Sequence, residues 1–126
     1  MKIPEWKRIQ HVSLTRPPGS HDEARAFYGD VLGLQEIEVP ASLRQNDLIW
    51  YAVGPDEIHL VAEENPDNTG SARHLCLQVG DLGELRARLA STGVETWNAT
   101  PIPGRPRLFC RDPFGNAIEL TEINGA

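Results

Sequence analysis

Apolar and polar residues alternate along the chain in two matching series. Arg8–Leu14 alternates and is rich in β-formers, which predicts a strand. The turn RPPGS follows, with Ser20 placed to cap a helix. Ala24, Phe27, Tyr28, Val31 and Leu32 then recur at helical spacing, one apolar face of a helix that Gly33 is placed to end. Three β-like runs come next: Gln35–Val39, Leu48–Val53 and Glu57–Ala62, with a Gly-Pro-Asp turn before the third. A polar stretch, EENPDNTGSA at 63–72, interrupts the pattern, and then the order repeats. Arg73–Val79 reads as a strand, and Asp81 caps a helix carrying Leu82, Leu85 and Leu89 that ends near Gly93. Glu95–Trp97, Arg107–Arg111 and Asn116–Glu122 are strand candidates.

The repeat defines the expected fold: a single α+β domain of two βαβββ modules, about 7–62 and 73–123, joined by a linker at 63–72. Each helix covers one face of its sheet. The other faces are left to close a mixed sheet around a cavity, with a pseudo-twofold axis between the modules. The period of two in strands assigns the faces. Val12, Leu14, Ile58, Leu60, Leu75, Leu77, Val79, Ile118 and Leu120 pack on the helices. Ile9, His11, Ser13, His59, Val61, His74, Cys76, Gln78, Glu119 and Thr121 face the cavity.

Each module thus carries one potential metal ligand on its first strand and one on its last. His11, His59, His74 and Glu119 fall at matching slots, and the pseudo-symmetry is expected to bring them together. Three imidazoles and a carboxylate suit a divalent metal such as Zn, Fe, Mn, Ni or Co. A lone inward histidine is more often a hydrogen-bonded core residue. Four such groups buried without a common partner would cost about 1–3 kcal/mol each, so shared ligation is preferred. His21 has no equivalent in the second half and is expected in solvent. Arg105, Arg107 and Arg111 lie beside the last hairpin, where they could hold an anionic group or simply line a solvated edge. Trp50 and Tyr51 face opposite ways, one toward the cavity. Neither Cys76 nor Cys110 has the setting of an activated nucleophile.

Composition narrows the function classes. The 126 residues include 12 basic and 18 acidic side chains, a formal charge of −6, which argues against non-specific nucleic-acid binding. No apolar run reaches the roughly 20 residues of a membrane helix, and MKIPEWKRIQ lacks the apolar core of a secretory signal. With only 2 cysteines, a reduced cytoplasmic setting is expected.

HVSL at 11–14, EARAFYGDVLGL at 23–34, EIHLV at 57–61, HLCLQV at 74–79 and FCRDPFGNAIEL at 109–120 together resemble the vicinal oxygen chelate superfamily. That superfamily includes glyoxalase I, extradiol dioxygenases, fosfomycin-resistance enzymes, methylmalonyl-CoA epimerase and bleomycin-resistance proteins. The resemblance spans about Arg8 to Ile123. It implies His11, His74 and Glu119 as ligands of a divalent metal. Position 59 departs: glyoxalase I has a glutamate there that also serves in proton transfer, and the epimerase has a glutamine. Dioxygenases and fosfomycin-resistance enzymes use two His and one Glu, a set this chain supplies without His59.

The resemblance therefore implies a metal-dependent enzyme acting on a small substrate that chelates through adjacent oxygens, by lyase, isomerase or dioxygenase chemistry. Catalytic candidates are Glu119 and His59. Ser13, Trp50, Cys76, Arg107 and Thr121 are candidate substrate contacts. The alternative is a bleomycin-resistance-type protein that sequesters a drug without chemistry. A homodimer is implied, with sites formed within or between chains.

Overall fold

The computed structural model describes residues 1–125. Its strands are β1 (His11–Arg16), β2 (Gln35–Ile37), β3 (Leu48–Val53), β4 (Asp56–Ala62), β5 (His74–Gln78), β6 (Thr96–Trp97), β7 (Arg107–Arg111) and β8 (Ala117–Thr121). They form two four-stranded mixed sheets, ordered β1-β4-β3-β2 and β5-β8-β7-β6. In each, the first strand runs parallel to the last, and the remaining pairs are antiparallel. The expected α+β repeat is present. Among the described residues no helix is long and apolar enough to cross a membrane.

The first strand begins later than its alternation predicts. Arg8 and Ile9 fall outside it, because β4 starts only at Asp56 and offers them no ladder partner. The backbone pairing opens with the Glu57 N–H donating to the Gln10 carbonyl at 3.0 Å. β2, β6 and β8 are likewise shorter than the apolar runs that announced them.

The first helix is also altered. α1 covers only His21–Ala24, and Arg25–Val31 continues as a π-helical turn. Apolar residues at 24, 27, 28, 31 and 32 fit one face of either winding, so periodicity alone could not reveal the wider turn. Ser20 makes no side-chain cap; its hydroxyl instead donates to the Pro17 carbonyl at 2.6 Å. By contrast, Asp81 does cap α2 (Leu82–Ser91), accepting from the Glu84 N–H at 2.9 Å.

One continuous core lies under both helices. Ala24, Phe27 and Tyr28 meet Ile49, Tyr51, Ile58 and Leu60, and the cluster continues through Leu82, Leu89, Leu108, Cys110, Ile118 and Leu120. Burying a large aliphatic or aromatic side chain contributes about 1.5–3 kcal/mol. The modules are also tied by polar bonds. Arg88 of α2 donates to the Asp30 and Val31 carbonyls at 2.6 and 2.7 Å. Asn116 Nδ2 donates across to the Thr15 carbonyl at 3.0 Å, and Asn68 joins the same carbonyl to that of Phe114 at 3.1 Å each. The Asp112–Asn116 turn is thus a clasp between halves.

Arg16 is buried, a placement its sequence context does not announce. Its guanidinium pairs with the Asp47 carboxylate and donates to the Asp47 and Pro17 carbonyls and the Ser20 hydroxyl. His21, expected free in solvent, contacts Asp47 Oδ1 at 3.0 Å.

Candidate metal centre

The strand registers place the candidate residues on the sheet faces turned away from the helices. On the first sheet Ser13 lies opposite His59, and Trp50 also pairs with His59. The result is a stack of three rings. Trp50 lies 3.8 Å from His59 between centroids and within 2° of parallel, and His11 lies 4.1 Å away on its own account, 18° from parallel. Tyr51 points the other way into the core and stacks with Tyr28. Glu57 shares the face of His59 and contacts His59 Nε2 at 2.8 Å, which holds the Glu57 carboxyl below its ordinary range.

On the second sheet Cys76 pairs with Glu119, and Arg107 with Thr121. His74 Nε2 lies 3.0 Å from Glu119 Oε1, and Arg107 approaches the other carboxylate oxygen at 3.5 Å. Arg107 also donates to the Thr100 carbonyl at 2.8 Å and lies over Phe109. Arg111 lies over Trp97 and donates to the Gly115 carbonyl at 2.8 Å. Burial raises the Cys76 thiol, and the Glu119 charge adds to it, so Cys76 stays protonated beside the carboxylate. Cys110 is buried and pushed up to about 11, chiefly by desolvation. The Thr121 hydroxyl is spent on the Pro106 carbonyl at 2.9 Å, which leaves it a structural role rather than an open contact.

The four donors therefore form two pairs, His11 with His59 and His74 with Glu119. Among the described residues of one chain, no three His, Cys, Asp or Glu side chains are grouped to hold a metal ion. Convergence of all four within a single chain is not what the fold produces.

The individual donors fit a metal unequally. His11 Nδ1 lies 2.8 Å from Gln10 Oε1, and His74 Nδ1 lies 3.0 Å from the Ala72 carbonyl. A carbonyl can only accept, so Nδ1 of each ring is the donor nitrogen and Nε2 is left as the ligating one. This is the outer support that metal-bound imidazoles usually carry. His74 Nε2 then faces the Glu119 carboxylate at 3.0 Å, so the two donors point to one place. His59 fits less well. Imidazole lone pairs lie in the ring plane, and nearly parallel rings 4.1 Å apart do not converge on a point about 2.0–2.1 Å from both. As arranged, His11, His74 and Glu119 are the fitting donors, and His59 is committed to Glu57.

A family model for the Glyoxalase/Bleomycin resistance protein/Dioxygenase superfamily matches residues 8–120. The chain belongs to that superfamily. A glyoxalase family protein from Bacillus anthracis is 33% identical, with a TM-score of 0.91 over 98% of this chain and 100% of that one. The lactoylglutathione lyase of Agrobacterium tumefaciens is 22% identical, with a TM-score of 0.72 over 94% of this chain and 96% of that chain. A genomically encoded fosfomycin resistance protein from Listeria monocytogenes is 15% identical, with a TM-score of 0.74 over 94% of each chain. These last two share the fold with this superfamily member. No curated protein matches the chain.

Proposed function

We propose that this superfamily member is a divalent-metal-dependent enzyme for a small substrate bearing adjacent oxygens, and that its site forms between two copies of the chain. The observation that carries this reading is the division of the donors. His11 stands on one module, His74 and Glu119 stand together on the other, and a single chain groups no three of them. A second copy related by a twofold axis would supply the missing donor at each of two identical sites.

His11 of one copy and His74 and Glu119 of the other would hold Zn, Fe, Mn, Ni or Co. When bound, such a metal acts as a Lewis acid toward the substrate's oxygens. The chain's own groups do the rest. Glu57 accepts a hydrogen bond from His59 Nε2 and orients the ring, which would leave Nδ1 to take a proton from the substrate. Trp50 holds the His59 ring from the opposite side to His11. Arg107, fixed by the Thr100 carbonyl and Phe109, offers its charge to an anionic part of the substrate beside Glu119.

The test is complementation. His11→Ala and Glu119→Ala homodimers should each lack metal and turnover. Mixing them should restore about one competent site in each mixed dimer, read by elemental analysis and by turnover on hemithioacetals, catechols and fosfomycin. Mixed dimers that stay metal-free would sink the shared site. Drug binding by the unmutated protein without bound metal or turnover would establish sequestration instead.

A further inference from the structure

Of the five exposed large apolar side chains among the described residues, Trp97 stands apart and the other four are concentrated at one place. Met1, Ile3, Trp6 and Ile9 all lie in the first ten residues, with Ile3 86%, Trp6 83% and Ile9 76% exposed. The segment has no regular structure of its own. Its root is fixed: Arg8 lies 3.0 Å from Asp56, an ion contact rather than an aligned hydrogen bond, and the Gln10 carbonyl accepts from the Glu57 N–H. Beyond that root, Met1–Lys7 stands free as an arm.

Beside the root lies an apolar crevice of about 730 Å³. Its apolar lining includes Val12, Val53, Pro55, Leu75, Leu77 and Val79, with Ile9 of the root at its edge. Its carboxylates are Asp56, which Arg8 contacts, and Glu57, which His59 contacts. β1 and β5, which contribute to its walls, are both edge strands with one side unpaired. Beyond its root the arm carries Lys2 and Lys7 against Glu5 alone, while the whole chain is acidic at −6. An extended, basic and apolar peptide suits an acidic-rimmed apolar crevice between strand edges.

We infer that the arm of each chain docks in this crevice on a second copy, by reciprocal exchange. The chain's own arm is poorly placed to do so. It is rooted at the crevice rim, so it would have to reverse within a few residues. Met1–Gln10 contains no glycine to supply a tight reversal, and Pro4 holds its neighbourhood extended. Extended away from the root, seven residues reach roughly 23 Å, enough to lie on a neighbour. The crevice also borders His11 and His74, so an exchanged arm would run along the same contact that joins the proposed metal donors. The inference rests on the two-copy reading for the identity of the partner.

Cross-linking from position 6 tests it. Protein with p-benzoylphenylalanine in place of Trp6 is mixed with an equal amount of 15N-labelled unsubstituted protein and irradiated. The expected product is a covalent dimer joining an unlabelled arm peptide to a labelled peptide from residues 53–58 or 75–80. Cross-links confined to one chain, cross-links elsewhere, or no covalent dimer would each overturn the exchange. Sedimentation gives a second readout. Trp6 is exposed in the single chain, so Trp6→Ala should fold normally while its dimer Kd rises about tenfold, as expected for an anchoring tryptophan. An unchanged Kd also overturns the proposal. Metal content and mixed-dimer complementation are measured on the same samples. If those succeed while the arm makes no contact, only the arm inference fails. If the arm cross-links to a metal-free protein, only the functional reading fails.

Discussion

The phenol of Tyr28 donates a 2.6 Å hydrogen bond to Oδ2 of Asp112, joining residues 84 positions apart. Oδ1 of the same carboxylate accepts from the N–H groups of Phe114 and Asn116 at 2.9 and 2.8 Å, and Oδ2 also accepts from Asn116 Nδ2 at 2.8 Å. One buried carboxylate therefore folds its own turn and receives the helix of the other module. Burial pushes its pKa up, outweighing the donors that stabilise the charge. The Tyr28 phenol is pushed well above its ordinary value, by burial first and then by Asp112.

Removing the phenol should be costly at neutral pH. Tyr28→Phe leaves a buried ionised carboxylate short of one donor, an expected loss of about 1–3 kcal/mol by chemical denaturation. The sign of the pH dependence follows from Asp112. Its folded-state pKa is raised, so its protonated form favours the fold. As pH falls through that raised value, the carboxyl needs its donors less, and the Tyr28→Phe deficit should shrink. A deficit that grows toward acid would contradict this assignment.

Asp47 should behave in the opposite sense. Burial raises its pKa, but the bonds from Arg16 and the Gly19 N–H outweigh burial, so the net shift is downward. Its stabilisation is present above the unfolded-state value of 3.8 and is lost as pH falls through the lower folded-state value. Asp47→Ala strands a fully buried guanidinium, but Asp47 is 30% exposed. The cost should be about 2 kcal/mol, below the 3–5 kcal/mol of a wholly buried broken pair. Melting curves of the two proteins should therefore approach each other below pH 3.8.

Gly115 in the Asp-Pro-Phe-Gly-Asn turn has a φ of +88°, and an added Cβ would lie 2.6 Å from Thr69 Cγ2. Gly115→Ala should destabilise by about 1–3 kcal/mol through backbone strain and this contact. Adding Thr69→Ala should recover the steric part and leave the conformational part. Full recovery in the double variant, measured by urea unfolding, would mean that the backbone there is not strained.

How much of this was legible in the sequence follows from what each feature depends on. The βαβββ repeat, the alternation that turns His11, Ser13, His59, His74, Cys76 and Glu119 away from the helices, and the Asp81 cap depend on short-range periods and chemistry. The start of β1 depends on where β4 offers a partner, which no property of Arg8 or Ile9 encodes. The π-helical winding preserves the same apolar face and so leaves no trace in the pattern. The motif at 112–116 was visible as a mark of the superfamily, but its work as a clasp depends on Tyr28 and Thr15, remote in sequence. Pseudo-symmetry led to the expectation that His11, His59, His74 and Glu119 meet, whereas within one chain they stand as two separate pairs, because each sheet holds its own pair.

The role of His59 is the point at which geometry changes the expectation most. Position and symmetry alone favour it as a fourth ligand. Its ring, however, is stacked between Trp50 and His11, and its Nε2 is engaged by Glu57. A ring so held presents no lone pair to a point shared with His11. His59→Ala should therefore keep metal affinity within about threefold while turnover falls roughly 10²–10⁴-fold, the range for a lost general base. His74→Ala, by contrast, should lose the metal and its stabilising linkage, seen as the absence of a metal-dependent rise in Tm. Glu57→Gln should lie between wild type and His59→Ala in turnover, because the amide oxygen still orients the imidazole but no longer supports its positive charge. A His59→Ala protein that loses its metal as completely as His74→Ala would return His59 to the ligand set and remove the proton-acceptor role.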